Sequence, residues 1–164
     1  MNYTILLLSI KPEYAQKIFK EKTKKVELRR VRTRLTEGDI VLVYVSSPEK
    51  VFVGSFEVER VIQRKASSQE LKKFWEEFKD SVGISRKEFD RYYQGASLIV
   101  GILIKNIKHF DKPVPLEDLP KKLSYLRPPQ SYRYLAKTEY DMIHALGEAQ
   151  TAIANDACGG RSHR

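Results

Sequence analysis

Two capped helix signals lie between the long strand signals at Val51–Ile62 and Ser97–Ile107, and no strand–helix–strand repeat persists through the rest of the chain. A doubly wound parallel sheet needs that alternation, so this order argues against one. It predicts an α+β architecture: a small mixed or antiparallel sheet of five or six strands, curled into a barrel, with helices over its openings. The first helix of the interruption is marked by Ser67 and Glu70 at capping-box spacing, followed by Leu71, Phe74, Trp75 and Phe78 on one face. The second opens on Ser85 and Glu88, runs through Phe89, Tyr92 and Tyr93, and closes at Gly95. The aromatic stripe of the first reads as core.

Around that interruption the remaining elements fall into place. Thr4–Ser9 reads as a strand buried on both faces. Pro12 suits a first helical turn, and Tyr14, Ala15, Ile18 and Phe19 follow at helical spacing. Lys25–Arg29 is short and extended, and Thr36–Asp39 is a turn into the β-branched Ile40–Val45. In Val51–Ile62, Gly54, Phe56 and Val58 alternate with Ser55, Glu57 and Glu59, which predicts a wet face for the latter set. Pro113–Pro120 reads as a proline-punctuated connection. Thr138 and Asp141 predict a last helix that Gly147 ends. One domain over residues 1–147 is expected, with 148–164 a frayed tail.

The charge is uneven. The net charge is +9, and between Lys11 and Arg34 ten basic residues face three acids, a local +7. Such a density attracts polyanions by phosphate neutralisation and counterion release. No apolar run reaches the ~20 residues of a membrane-spanning helix, and Ile5–Leu8 is too short for a secretion-signal core. A cytoplasmic protein without membrane contact is expected. Cys158 alone makes neither a disulfide nor a cysteine-rich zinc site, and it has no nearby base to activate it. His109, His144 and His163 lack partners at ligand spacing, so neither metal nor other cofactor is expected.

Lys22–Arg30 is the most unusual stretch. Extended alternation would put Lys25, Glu27 and Arg29 on one face and Lys24, Val26, Leu28 and Arg30 on the other. A charged edge strand that discourages aggregation and a binding segment are about equally compatible with it. Buried together, Lys24 and Glu27 could transfer protons; as a salt-bridged recognition pair they need no chemistry, which is the favoured reading.

Leu7–Ala15, then Lys17–Phe19, then Lys24–Arg30 together resemble the ASCH domain family, a branch of the PUA-like β-barrels whose hallmark is G-x-K-x-x-E-x-R after the first helix. Lys24, Glu27 and Arg29 match its lysine, glutamate and arginine, while Lys22 stands in the glycine position. The resemblance spans roughly Thr4–Ile107, and Arg127–Leu135 resembles a tail of some longer members. It implies a PUA-like barrel, a pocket between barrel and first helix, and RNA binding. Some members resemble amidohydrolases acting on acetylated cytidine through a Lys, a Thr and a Glu. The lysine corresponds to Lys24, the threonine position is Glu27 with Thr23 nearby, and the glutamate falls near Asp80 or Ser81.

A second stretch, Arg127–Tyr134, interleaves aromatics with arginine and an amide, the residue types that stack on bases, pair with phosphate and read base edges. Packing of Tyr132 and Tyr134 on the sheet is the slightly favoured alternative. The combined expectation is a basic cleft that binds nucleic acid, RNA over DNA. Lys11, Lys24, Glu27, Arg29, Arg30 and Arg32 would line it, and Tyr132, Arg133 and Tyr134 would flank its entrance. Lys24 and Glu27 are the weak catalytic candidates of a nucleoside amidohydrolase or ribonuclease, and a regulatory module meeting an acidic protein is the third reading.

Overall fold

Strand β1 (Ile5–Ile10) is apolar on both faces because both are covered. Leu6, Leu8 and Ile10 pack with Ile18 and Phe19 of helix α1 (Pro12–Phe19), while Ile5 and Leu7 face a second cluster with Phe52, Phe110, Leu135 and Ile143. The computed structural model describes residues 3–128 and 132–148.

After α1 come β2 (Val26–Arg29), β3 (Ile40–Val45), β4 (Val51–Lys65), α2 (Ser68–Phe78), α3 (Arg86–Tyr93), β5 (Leu98–Pro115) and β6 (Tyr132–Leu135). Residues 137–148 form a last helix, α4. Six strands make one sheet in the order β2-β5-β4-β3-β1-β6. Among the described residues only β1 and β3 run parallel; every other pair is antiparallel. The α+β class and mixed sheet agree with the sequence reading.

Closure into a barrel is not reached by strand pairing, since β2 and β6 remain unpaired edges among the described residues. Between them runs the strap of residues 30–36. The Tyr132 hydroxyl donates to the Arg32 carbonyl (3.3 Å), and the Arg34 amide donates to the Tyr134 hydroxyl (2.7 Å). Side chains bridge a gap that a ladder would otherwise fill.

Three further expectations need correction. Ser55 is buried, not wet, because its hydroxyl meets that of Tyr140 at 3.3 Å, a partner 85 residues away. Pro113 and Pro115 lie inside β5 rather than in a connection. They are tolerated there because β2 pairs with β5 only at Val100–Leu103, leaving the later part of β5 paired with β4 alone. The final helix starts at residue 137, so Ala136 rather than Thr138 precedes it, and the Ala136 amide donates to the Glu139 side chain at 2.7 Å. Gly147 does not end it, since residue 148 is still helical. The expected frayed tail lies, apart from residue 148, outside the described residues, as do Gln130 and Cys158.

Helices α2 and α3 leave the sheet between β4 and β5 and return to cover the far side of β2. Their Phe74, Phe78, Phe89 and Tyr93 pack on Val26, Leu28, Ile99 and Leu103 in a third apolar cluster. Ser67 and Ser85 cap them, Ser85 with the complete reciprocal box to Glu88. This excursion brings α3 beside α1, where the Tyr14 hydroxyl meets Glu88, and so forms a cleft against β2.

Candidate functional site

A cavity of about 590 Å³ opens where β2, the ends of β1 and β3, α1 and α3 converge. One wall comes from Ser9, Lys11, Ser46 and Ser47. The other comes from Lys24, Glu27 and Arg29 with Glu88 and Tyr92, and Tyr14 enters from α1.

Lys24 is only 3% exposed and Glu27 6%. Burying an ion pair this deeply is costly unless further hydrogen bonds complete it. Glu27 is shared: its Oε1 lies 3.6 Å from Lys24 Nζ and its Oε2 accepts from Arg29 Nη1 at 3.3 Å. Lys24 Nζ also donates to the Val82 carbonyl at 2.6 Å and sits 5.5 Å from the centre of the Tyr14 ring. Burial holds the Lys24 pKa below the ordinary lysine value, with the charge of Glu27 opposing and those of Lys17 and Arg29 assisting.

Strict alternation from Lys24 would have separated it from Glu27. The two meet because β2 begins only at Val26. Just before it, the amides of both Lys25 and Val26 donate to the Ser81 carbonyl (2.7 and 3.0 Å), so Lys24 is not held by the pleat. Its stem runs instead against Gly83, at φ +70°, where an added Cβ would come within 3.0–3.2 Å of Lys24 Cβ, Cγ and Cδ. Gly83→Ala is therefore expected to lose about 1–2 kcal/mol of unfolding free energy from the left-handed backbone alone, and to displace Lys24. Denaturant unfolding checks this; an unchanged midpoint would show that the lysine has room to spare.

Two tyrosines hold the helices against this cluster. The Tyr14 hydroxyl donates to Glu88 Oε2 (3.2 Å) and that of Tyr92 to the Leu28 carbonyl (3.2 Å). Burial raises both phenol pKa values, Glu88 adding to the effect on Tyr14 and Arg29 opposing it at Tyr92. Glu88 itself is held below the usual carboxylate range, first by its hydrogen bonds from Ser85. Lys17 donates to the Gly83 carbonyl at 2.7 Å, tying α1 to the excursion.

Of the residues singled out in the sequence, Lys11, Lys24, Glu27 and Arg29 line this cavity. Arg30 turns away and donates to the Gln94 carbonyl at 3.3 Å. Arg32 is exposed on the strap, and Tyr132 and Tyr134 pack edge to face (5.7 Å) with their hydroxyls on it. Arg133 is half-buried on β6, and Pro128 of the Arg127–Tyr134 stretch reaches the cavity. Thr23 and Asp80 are exposed and neither they nor Ser81 line it. Nothing in the spacing of Tyr14, Tyr92 and Glu88 marks them as site residues, since α3 reaches β2 through Tyr92 and meets α1 through Glu88 only in the folded chain. Among the described residues no cluster of three His, Cys, Asp or Glu side chains could hold a metal ion, and no helix is long and apolar enough to cross a membrane.

Set beside known proteins, the chain is 29% identical over 130 residues to large ribosomal subunit protein uL22 of Ureaplasma parvum, an alignment covering 79% of this chain. The chain spans only 39% of that relative's length. An ASCH domain-containing ribonuclease of Zymomonas mobilis is 24% identical over 140 residues, covering 85% of this chain and 90% of the relative. The crystal structure of ASCH from Zymomonas mobilis superposes with a TM-score of 0.77 at 22% identity, covering 87% of this chain and 94% of that one. Human THYN1 in complex with 5-methylcytosine-containing DNA gives 0.50 at 12% identity, over 88% and 98%. Residues 5–123 match the family described as Domain of unknown function (DUF365). The chain therefore belongs to the DUF365 family, and its fold is that of the ASCH domain proteins.

Proposed function

We propose that the protein binds nucleic acid, RNA over DNA, by taking one nucleotide of a single strand into the cavity beside β2. The observation that carries this is the buried Lys24–Glu27–Arg29 cluster opening on a cavity whose other polar groups are hydroxyls, Lys11 and the Glu88 carboxylate that the Tyr14 hydroxyl engages. Glu27 can accept from an exocyclic amine, and Arg29 and Lys24 can donate to ring or carbonyl acceptors of the same base edge. Tyr14 and Tyr92 offer ring faces for stacking, and Lys11 supplies an exposed charge for phosphate. Relatives named as a ribosomal protein and a ribonuclease support RNA as the partner, and a similarly folded protein in complex with DNA supports nucleic acid as the broader class. A cytoplasmic setting fits such a partner.

Binding of short fluorescein-labelled RNA, followed by anisotropy, tests the reading. Lys24→Met combined with Arg29→Ala is expected to weaken binding at least tenfold at ~0.1 M salt, since truncating hydrogen-bonded charged groups costs ~2–5 kcal/mol. Affinity that ignores both the double substitution and the salt concentration would dismiss it.

A second, hydrolytic reading is favoured by one feature: burial lowers the Lys24 pKa and so enlarges its neutral fraction, as a general base requires. Turnover of RNA or of acetylated cytidine that Lys24→Met abolishes would support it. Intact substrate after prolonged incubation with the wild-type protein would leave binding alone.

A further inference from the structure

The strap of residues 30–36 connects two cavities. Arg29 lines the cavity described above. Arg34, at the other end, lines a second cavity of about 420 Å³ at the β6 edge, together with Tyr3, Thr4, Ile5, Tyr134 and Lys137. Three arginines, Arg30, Arg32 and Arg34, stand exposed along the strap between them, and among the described residues none is paired with a carboxylate. Val31, 63% exposed, sits among them.

Such a run of unneutralised charge is usually spread by flexibility. Here it is fixed at three points. Tyr132 holds the Arg32 carbonyl, Tyr134 holds the Arg34 amide, and the Arg34 guanidinium lies 4.0 Å from the centre of the Tyr134 ring. A guanidinium over a tyrosine ring, with no carboxylate paired to it among the described residues, is a combination suited to a base with its phosphate. The second cavity contains two cations and no carboxylate among its lining residues, although Lys137 is paired with Asp141 at 2.8 Å.

We propose that the strap is the backbone track of a single-stranded nucleic acid, and that the cavity at Arg34 and Tyr134 is a second nucleotide subsite. The ligand is then an oligonucleotide segment rather than a lone nucleoside. This rests on the proposed nucleic-acid reading of the first cavity. From residue 29 to residue 34 an extended chain spans at most about 17 Å, so the two subsites are a few nucleotides apart. That gives a site size of about four nucleotides, at the low end of the ~4–16 range for small single-strand-binding folds.

Calorimetric titration with unlabelled RNA of one to eight nucleotides, with single-stranded DNA in a parallel arm and polyglutamate as a competitor, tests the track. Affinity should climb with length up to about four nucleotides and then flatten. The triple variant R30A/R32A/R34A should bind an octanucleotide at least tenfold more weakly while binding a mononucleotide as the wild type does. Its salt slope should fall by about 2, near 0.7 for each single-strand phosphate released. Tyr134→Phe, which keeps the ring but frees the Arg34 amide, should give a smaller loss confined to the longer oligonucleotides. Better binding of DNA than RNA with the same length profile would keep the track and overturn only the RNA preference. A mononucleotide that binds as well as the octanucleotide would overturn the track and leave the first cavity standing. No binding of any length would overturn both readings, and polyglutamate competing as strongly as RNA would replace the nucleic acid by an acidic protein.

Discussion

Replacing Glu27 with leucine is expected to lower the unfolding free energy by about 3–5 kcal/mol at neutral pH, the usual cost of stranding a buried charge. Lys24 is the charge left behind. Its remaining partners would be the Val82 carbonyl and the Tyr14 ring, neither of them anionic. The loss has a pH signature that a simple packing defect lacks. Burial already depresses the folded-state pKa of Lys24, and Glu27 works against that depression. Removing Glu27 pushes the pKa lower still. Between that lowered value and the ordinary 10.5, the unfolded chain holds a proton that the folded chain has shed, so stability rises with pH across the window. The deficit of Glu27→Leu should accordingly shrink as pH climbs toward 10.5, leaving mainly the share owed to Arg29. Pairing the change with Lys24→Met should recover much of the loss, because apolar replacement of a buried pair is often neutral or stabilising. Urea denaturation at several pH values supplies all three comparisons. A variant within 1 kcal/mol of wild type, with an unchanged pH slope, would mean that water reaches Lys24 and that the ion cluster is not buried in solution.

Phe89→Ala should be as damaging for a different reason. Phe89 is fully buried where the two helices of the excursion meet, 5.2 Å from the Trp75 ring, 5.0 Å from Tyr93 and stacked at 6.0 Å on Phe74. Emptying that volume costs about 3–5 kcal/mol in a well-packed core. The functional consequence follows from position, since Glu88 and Tyr92 flank the cavity on the same helix. Weaker RNA binding should accompany the lost stability even at temperatures where the variant stays folded. Amide exchange would locate the change: α3 should lose protection before β1 and β3 do. Equal loosening of both regions, or a cost below 1 kcal/mol, would show that the excursion does not depend on this ring.

Much of this was legible in the residues themselves. The buried first strand, the proline-started helix and both serine caps depend on local spacing, and local spacing is what a sequence displays. So is the presence of a lysine, a glutamate and an arginine within six positions, although alternation alone would part Lys24 from Glu27 and only the Ser81 carbonyl's hold on the chain lets them meet. What escaped was set by distant partners. Ser55 looked wet because Tyr140, which buries and bonds it, is far along the chain. The spacing of Tyr14, Glu88 and Tyr92 marks helix faces and a cap, and their common position at the cavity exists only once α3 has folded back over β2. The prolines of β5 suggested a loop because a sequence does not tell whether a strand has neighbours on both sides. Tyr132 and Tyr134 were noticed for what they could stack on; their hydroxyls, which hold the strap, gave no separate signal.

The excursion between β4 and β5 contributes no strand to the sheet, yet it supplies part of the cavity wall. Part of the cavity's chemistry is thereby housed outside the ladder, facing the Glu27 and Arg29 that β2 contributes. Changes at the cavity-facing positions of α3 would alter which molecules fit, while the Ser81 carbonyl and the tyrosine hydroxyls that hold β2 in place stay as they are.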